Sequence, residues 1–346
     1  MGNKKNVTFS DIAKYTNFSK TTISRYFNNP DSLTLENQQI ISDALVKLNY
    51  KENKVARILA NGKTEFVGVI VPDLYHHYYS EILNQILSTY EKYGYKFLVF
   101  IGNENEEIER RYIQELMAYK IEGLIILSHT IPSKELANLQ IPVVTIERED
   151  HYVSSVNTDN YMGGYQATSL LARHNCDVLI HINSPTLESI PSYGRIRGFL
   201  DFCQEKDLKH QIFIREMGHN YESTHKVLVS IVEELEQNYH GMKKGIFISN
   251  DTHANVLLNI LIRKYSTLPH DYLIIGFDNS PVSRESIIPI STIGQQIDLI
   301  AQEAVRILVE QMNERKKRKP VLPDKPIHKV IPPILIRRET TEGHTF

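Results

Sequence analysis

The sequence predicts a small all-α head followed by an α/β core of two doubly wound lobes. Three observations lead there. Within the first 50 residues, apolar side chains recur at helical spacing with short polar turns between them. From residue 66 onward, short β-rich runs alternate with amphipathic helical stretches, the pattern of a parallel sheet covered on both faces. That alternation begins again after residue 159, so two such units follow one another. A chain of 346 residues suits one small domain plus one large one, and 41% apolar residues can fill real cores.

The head is organised around residues 7–28, VTFSDIAKYTNFSKTTISRYFN, which read as two short helices joined by a tight turn. In the first, Ile12 and Ala13 are apolar while Asp11 and Lys14 face out. Asn17 sits at the turn, where a left-handed residue is needed and asparagine tolerates it. Ser19 caps the second helix through its hydroxyl. Ile23 and Phe27, at i and i+4, turn one face of that helix inward. The opposite face shows Lys20, Thr21, Ser24, Arg25 and Asn28, which is polar and positive. This is a helix-turn-helix pattern, whose second helix lies in the DNA major groove. Taken alone, these residues also fit a plain helical hairpin with a solvated face. A third helix over 34–48 follows, with Thr34 as its N-cap and Ile40, Ile41, Ala44, Leu45 and Leu48 as its inner stripe.

Charge is unevenly spread. Net charge is −2, yet residues 1–63 carry ten Lys/Arg against five Asp/Glu, giving +5 and leaving −7 on the rest. A basic head on an acidic body fits a polyanion partner for the head alone.

The motif VTxxDIAxxxxxSxxTISRxxN, followed by LNYxxNxVARxLAxGKT at 48–64, resembles the LacI/GalR family of bacterial transcriptional regulators. The resemblance implies a DNA-binding domain over 1–50 and a hinge helix or linker over 51–64 that folds on DNA. It also implies a ligand-binding and dimerisation core over 65–340. Leu59 holds the family position that wedges into the minor groove at the centre of a palindrome, exchanging unstacking energy for a kinked duplex; otherwise it is a linker leucine packed on the core. Glu52 stands where the family has proline, and Asn17-Phe18 replaces a common Gly-Val.

Along the core the reading gives FVGVIV (66–71), a helix near 78–93, KFLVFI (96–101), a helix near 106–119, GLIIL (123–127), a short helix from Ser133 and PVVTI (142–146). SVNTD (155–159) precedes a helix near 161–174, VLIHI (178–182), a helix near 193–206, HQIFI (210–214) and a helix near 222–238. GIFIS (245–249), a helix near 252–265, YLIIGFD (272–278), a helix over 296–317 and a final strand near 329–336 complete it. The resemblance extends to the family's core, which is similar to type I periplasmic sugar-binding proteins. It implies an N-lobe of about 65–158 and 294–322, a C-lobe of about 162–290 and 325–340, and lobe crossings near 158–162, 277–295 and 320–328.

Ligands of such sheets bind at the C-terminal ends of strands. Asp73, His76, His77, Tyr78 and Tyr79 follow the first strand, and aromatic rings beside carboxylates suit a sugar; as loop residues they also suit plain surface positions. The family's RxxGF setting is matched by Arg195, Gly198 and Phe199, which implies that Arg195 binds effector with its planar fork. Arg197 reads as a surface residue. Asn250-Asp251, Asp278 in GFDN and Gln295 in STIGQQ also match family cleft positions; Asp251 and Asp159 can equally cap helices. The effector-binding set is therefore Asp73, Tyr78, Tyr79, Arg195, Asn250, Asp278 and Gln295.

Enzyme constellations are missing. There is no GxSxG, no GxGxxG after a strand, and Arg57 stands where a phosphate loop ending in GKT (62–64) needs glycine. His76-His77 is not a zinc spacing, so neither catalysis nor a metal or cofactor is expected. Cys176 and Cys203 read as buried reduced thiols. No run of about 18 apolar residues occurs and MGNKKNVTFSD has no apolar signal region, which points to a cytoplasmic protein.

The reading is a ligand-responsive transcriptional regulator, a repressor of a carbohydrate-use operon. Lys20, Thr21 and Arg25 should face base edges, and Ser19, Thr22, Ser24 and Asn28 phosphates. Two heads are needed for a palindrome, and the chain ends in ETTEGHTF without the heptad tail of tetrameric relatives, so a homodimer is expected. Two alternatives remain open: a sugar-binding sensor acting through a protein partner, and a family regulator with a nucleobase or phosphorylated metabolite as corepressor.

Overall fold

The computed structural model describes residues 7–51, 64–148, 151–319 and 325–343. They fall into two compact units, Met1–Lys63 and Thr64–Phe346.

In the first unit, α1 (Phe9–Thr16) begins at Thr8, whose backbone N–H and hydroxyl both donate to Asp11 Oδ2, at 2.8 and 2.7 Å. It ends at Asn17, whose φ of 57° is left-handed. Helix α2 (Lys20–Asn28) starts at Ser19, whose Oγ accepts from Thr22 N at 3.0 Å. Helix α3 (Leu35–Lys47) starts at Thr34, whose Oγ1 accepts from Asn37 N at 3.3 Å. Ile12, Ile23 and Ile41 are fully buried with Ala44 between the helices. Phe9 stacks on Phe27 at 5.0 Å, and Tyr50 packs on both rings at 6.0 and 5.8 Å. Ile40 does not belong to the inner stripe: it is 40% exposed. Ile41, Ala44, Leu45 and Leu48 recur at i, i+3, i+4 and i+7, and Ile40 lies off that line.

The second unit runs β1 (Phe66–Val71), α4 (His77–Ser88), β2 (Lys96–Ile101), α5 (Glu106–Ala118), β3 (Gly123–Ile126), α6 (Ser133–Ala137), β4 (Val143–Ile146) and β5 (Ser154–Thr158). It continues with α7 (Asn160–Arg173), β6 (Val178–Asn183), α8 (Tyr193–Glu205), β7 (His210–Ile214), α9 (Tyr221–Asn238), β8 (Lys244–Ile248), α10 (Asp251–Tyr265), β9 (Tyr272–Asp278), β10 (Ser291–Gly294), α11 (Ile297–Arg315), β11 (His328–Ile331) and β12 (Ile334–Ile336).

These strands form two sheets. The first has the order β11-β5-β4-β3-β1-β2 and is parallel throughout. The second has the order β12-β10-β9-β8-β6-β7, in which β12 alone is antiparallel. The central strands are apolar and buried because both faces are covered. In the first lobe, Val67, Val69 and Val71 face Ile82 and Ile300, while Ile70 and Leu124 face Leu116 on α5. In the second, Ile180 and Ile246 face Leu228 and Leu257, while Leu179 and Phe247 face Leu171 and Phe199.

The chain passes between lobes after β5, after β10 and between β11 and β12. The third passage corrects the expectation. Residues 328–331 extend the first sheet beside β5, with His328 opposite Ser155, so the C-lobe does not resume at 325 and the chain does not cross at 320–328. One strand over 329–336 was expected; two strands in different sheets are found. Pro332 and Pro333 are the physical reason, since neither has an N–H for a ladder. The sequence reading also passed over β10, a four-residue strand within STIG. No helix among the described residues is long and apolar enough to cross a membrane.

Candidate functional site

On the head, Ser19, Lys20, Thr21, Arg25 and Asn28 are exposed, and Thr22 and Ser24 are half-buried. Ile23 points inward from the same helix. Ser19 Oγ and Thr22 Oγ1 lie 2.8 Å apart at the helix N-terminus. Asn28 Nδ2 donates to Ser24 O and Oγ, at 3.0 and 3.1 Å. Helix α2 and its N-cap thus present two cations, hydroxyls and an amide to solvent. Leu59 and residues 52–63 lie outside the described residues.

In the second unit, a cavity of about 400 Å³ opens between the C-terminal ends of the two sheets. Tyr78, Tyr79, Arg195, Asn250, Asp278 and Gln295 all line it. Asp73 does not. Its carboxylate turns to His76, accepting from the backbone N at 2.9 Å and lying 3.0 Å from Nδ1, and the His76 ring lines the cavity instead. The cause is local: a carboxylate three residues before a backbone N–H closes a turn on it. Asn250 caps α10, accepting from His253 N at 2.8 Å, and still reaches the cavity. Asp251 points into the second lobe, where its carboxylate accepts from Ser280 N at 2.8 Å and Thr292 Oγ1 at 2.7 Å. Asp159 caps α7 by accepting from Met162 N at 2.9 Å.

A chain of hydrogen bonds, closed into a ring by one ion pair between Arg195 and Asp278, joins the cleft residues through two of the lobe passages. Thr158 Oγ1 donates to Gln295 Oε1 at 2.5 Å, and Gln295 Nε2 donates to Asp278 Oδ1 at 2.7 Å. Arg195 Nη2 lies 4.0 Å from that oxygen. Arg195 Nε donates to Asn160 Oδ1 at 2.8 Å and Nη1 to Ser249 O at 2.5 Å. Asn160 Nδ2 donates to Glu147 Oε2 at 2.8 Å, and Glu147 returns to the Thr158 backbone N–H. The Arg195 guanidinium also stacks on Phe277 at 3.7 Å. Two carboxylate residues of the ring have left-handed backbones, Glu147 at φ 54° and Asp278 at φ 113°. Such conformations cost about 1–3 kcal/mol each and persist where surroundings over-determine them.

Glycines place Arg195. A Cβ on Gly164 would meet Arg195 O at 2.3 Å, and one on Gly198 would meet Tyr161 O at 2.3 Å. Helices α7 and α8 therefore touch backbone to backbone, and the guanidinium is carried into the cleft by that contact. This gives the glycine of RxxGF a physical reason.

Burial sets the protonation of the site. Burial pushes the Asp278 carboxyl up to about 6, with Arg195 opposing it. Burial and the charge of Asp278 push Asp251 well above the carboxylate range. Burial lowers His253 to about 3 and His129 to about 4, His129 being further lowered by Arg148. Asn250 Nδ2 donates to His253 Nδ1 at 3.1 Å, so His253 Nε2 carries the proton. That Nε2 and the Tyr78 hydroxyl are buried without a hydrogen-bond partner among the described residues, and both residues line the cavity. Buried polar groups in that state call for a bound molecule or water. Burial also raises the thiols of Cys203 to about 12 and Cys176 to about 11, which makes them unreactive.

Several lining residues escaped the sequence reading: Glu147, His129, Asn183 and His253. The signal for three of them was present. Glu147 follows β4, His129 follows β3 and Asn183 ends β6, positions that the strand-end rule covers. His253 needed the fold, because it is reached one turn into α10.

Comparison with known proteins fits this architecture. Residues 64–238 match the model described as periplasmic binding proteins and sugar binding domain of LacI family, and residues 168–341 match a periplasmic binding protein-like domain. The ribose operon repressor of Halalkalibacterium halodurans is 26% identical over 337 residues, covering 97% of each chain. The sucrose operon repressor of Streptococcus mutans is 27% identical over 312 residues, 88% of this chain and 93% of its own. The crystal structure of the lac repressor dimer bound to operator and the anti-inducer ONPF superposes with a TM-score of 0.80 at 21% identity, covering 97% of this chain and 99% of that one. A basic helix-turn-helix head, two doubly wound lobes and a polar cleft at their strand ends are thus the parts of a LacI-family transcriptional regulator, and the chain belongs to that family.

Proposed function

We propose that this repressor reads a palindromic operator as a homodimer in the cytoplasm and is controlled by a carbohydrate held in the cleft. The observation that carries the effector reading is the ring of Thr158, Gln295, Asp278, Arg195, Asn160 and Glu147. Its members Gln295, Asp278, Arg195 and Glu147 set acceptors and donors side by side along a cavity of about 400 Å³, within the range of small-molecule sites, and Thr158 and Asn160 hold them from behind. A polyhydroxylated molecule offers a matching alternation, and Tyr78 and Tyr79 supply ring faces for its apolar side. The named relatives repress ribose and sucrose operons. A repressor of this kind binds and releases its ligand and is not an enzyme.

On the head, Lys20, Thr21 and Arg25 are assigned to base edges and Ser19, Thr22, Ser24 and Asn28 to phosphates. The start of α2 favours a phosphate, because its free N–H groups and dipole are positive there. Leu59 is assigned to the minor-groove wedge by family position. Because the ring includes Thr158, Asn160 and Gln295 from two lobe passages, a ligand that engages it favours one lobe arrangement over another. It changes operator affinity only by its differential affinity for the two states.

The test is operator affinity by fluorescence anisotropy in the presence of a carbohydrate panel that includes ribose and sucrose. One sugar should shift wild-type affinity and leave Arg195→Ala unmoved. A panel without effect, joined to a response to a nucleobase or a sugar phosphate, would move the effector class.

A further inference from the structure

Beside the effector ring, a second set of ligating groups stands at the mouth of the same cleft. Asp73 and His76 come from the loop after β1, and His219 from the loop before α9. Asp73 Oδ2 lies 3.0 Å from His76 Nδ1 and 3.5 Å from His219 Nδ1. Among the described residues, one ligand atom from each of the three falls within 4.8 Å of the other two. In a tetrahedral zinc site with bonds of roughly 2.0–2.2 Å, neighbouring ligand atoms stand roughly 3.3–3.6 Å apart. Asp73–His76 and Asp73–His219 are close to that spacing without rearrangement.

We propose that Asp73, His76 and His219 hold a divalent cation of zinc's kind across the cleft mouth. Two imidazoles and one carboxylate are the hard-to-borderline donor set such an ion takes, with a fourth position left for water or a hydroxyl. The surroundings support it. Glu104 Oε2 lies 3.5 Å from the other ring nitrogen of His219, the carboxylate–histidine relation that orients metal-bound imidazoles. Asp73 is buried, so its carboxylate is placed before any ion arrives.

The consequence follows from where the ligands sit. Asp73 and His76 belong to the first lobe and His219 to the second. The same loop already reaches across: Tyr75 Oη donates to Thr224 Oγ1 at 3.1 Å, and His77 N donates to Thr252 Oγ1 at 3.0 Å. An ion bound by all three ligands stabilises this apposition over any in which the loops part. The cleft then answers to metal as well as to its effector. The inference does not depend on the effector's identity.

The experiment uses the tag-free full chain, stripped with chelator and dialysed against Zn²⁺, with bound metal measured per chain. Wild type should retain a single equivalent, and Co²⁺ in its place should give the visible bands of a four-coordinate site. His76→Gln and His219→Gln should lose the ion while their circular dichroism matches wild type; His219 is half exposed, so its loss leaves the core intact. Glu104→Gln should bind about 10–100-fold more weakly, the effect of removing an outer carboxylate. His174→Gln, far from the cleft on the end of α7, should bind as wild type. A wild-type chain that retains no ion overturns the proposal and leaves the triad as a protein-only ion pair. Full retention by both His76→Gln and His219→Gln also overturns it, because the ion then sits elsewhere. Neither DNA nor sugar is needed, so the result is separate from that of the repressor assay.

Discussion

Replacing Arg195 with alanine removes the one cation of the cleft ring. Its side chain is buried, donates to Asn160 and the Ser249 carbonyl, faces Asp278 and sits over the Phe277 ring. Breaking such a buried pair leaves Asp278 uncompensated and costs about 3–5 kcal/mol. The cost should depend on pH. Asp278 is raised in the folded protein to about 6 from 3.8, so its protonated form is the one folding favours. The stability it contributes is full below about pH 4 and is lost as pH rises through about 6. Without Arg195 to hold the charged form, that window moves upward. The stability difference between wild type and Arg195→Ala should therefore be large at pH 8 and shrink toward pH 5. Adding Asp278→Asn should recover much of the loss at pH 8, because the second change removes the orphaned charge. Denaturant unfolding of the core at both pH values measures the three proteins, and anisotropy measures their response to effector. Equal stability at both pH values with an intact effector response would refute the assignment of Arg195 to the ring.

Three further outcomes follow from the same structure. Arg25→Ala should weaken operator binding by about 1–3 kcal/mol with little change on random duplex, and unchanged operator affinity removes Arg25 from base contact. Gly198→Ala puts a methyl group 2.3 Å from Tyr161 O, so α7 and α8 must separate. A loss of about 1–3 kcal/mol and weaker effector binding should appear together, and an unchanged melting temperature contradicts the close crossing. His181 and His253 are buried and held near 3 by burial, against 6.5 when unfolded. Their contribution is present above 6.5 and lost as pH falls, by about 1.4 kcal/mol each at pH 5.5. A double His181→Gln, His253→Gln chain should lose less stability than wild type between pH 7.5 and 5.5, and equal losses count against buried neutral imidazoles.

Much of the fold was legible because one period governs each part. Val67, Ile70 and Val71 sit in an unbroken apolar run, which only a strand covered on both faces accepts. Boundaries failed where chemistry overrode period. The run KVIPPILI reads as one apolar strand, yet its two prolines end one ladder and let the chain join the other sheet. At α3, Ile40 and Ile41 are equal in hydropathy, and only the direction of the neighbouring helices selects Ile41. The cleft was partly legible for a similar reason. Tyr78, Asn250, Asp278 and Gln295 lie at strand ends or family motifs and line the cavity. Asp73 has the same strand-end position, but its own turn with His76 takes its carboxylate. Asn160 and Glu147 complete the ring through long-range hydrogen bonds, 35 and 13 residues apart in sequence along their links, which no local spacing records.

The most direct test of the central claim is selection of random duplex DNA on the purified full chain at a fixed salt concentration, repeated with the sugar found to bind the cleft. The account predicts a palindrome with a flexible central step, recovered in one ligand state and depleted in the other. Recovery of sequence-independent, salt-sensitive DNA alone in both states would contradict it, and would leave the head as something other than a reader of sequence.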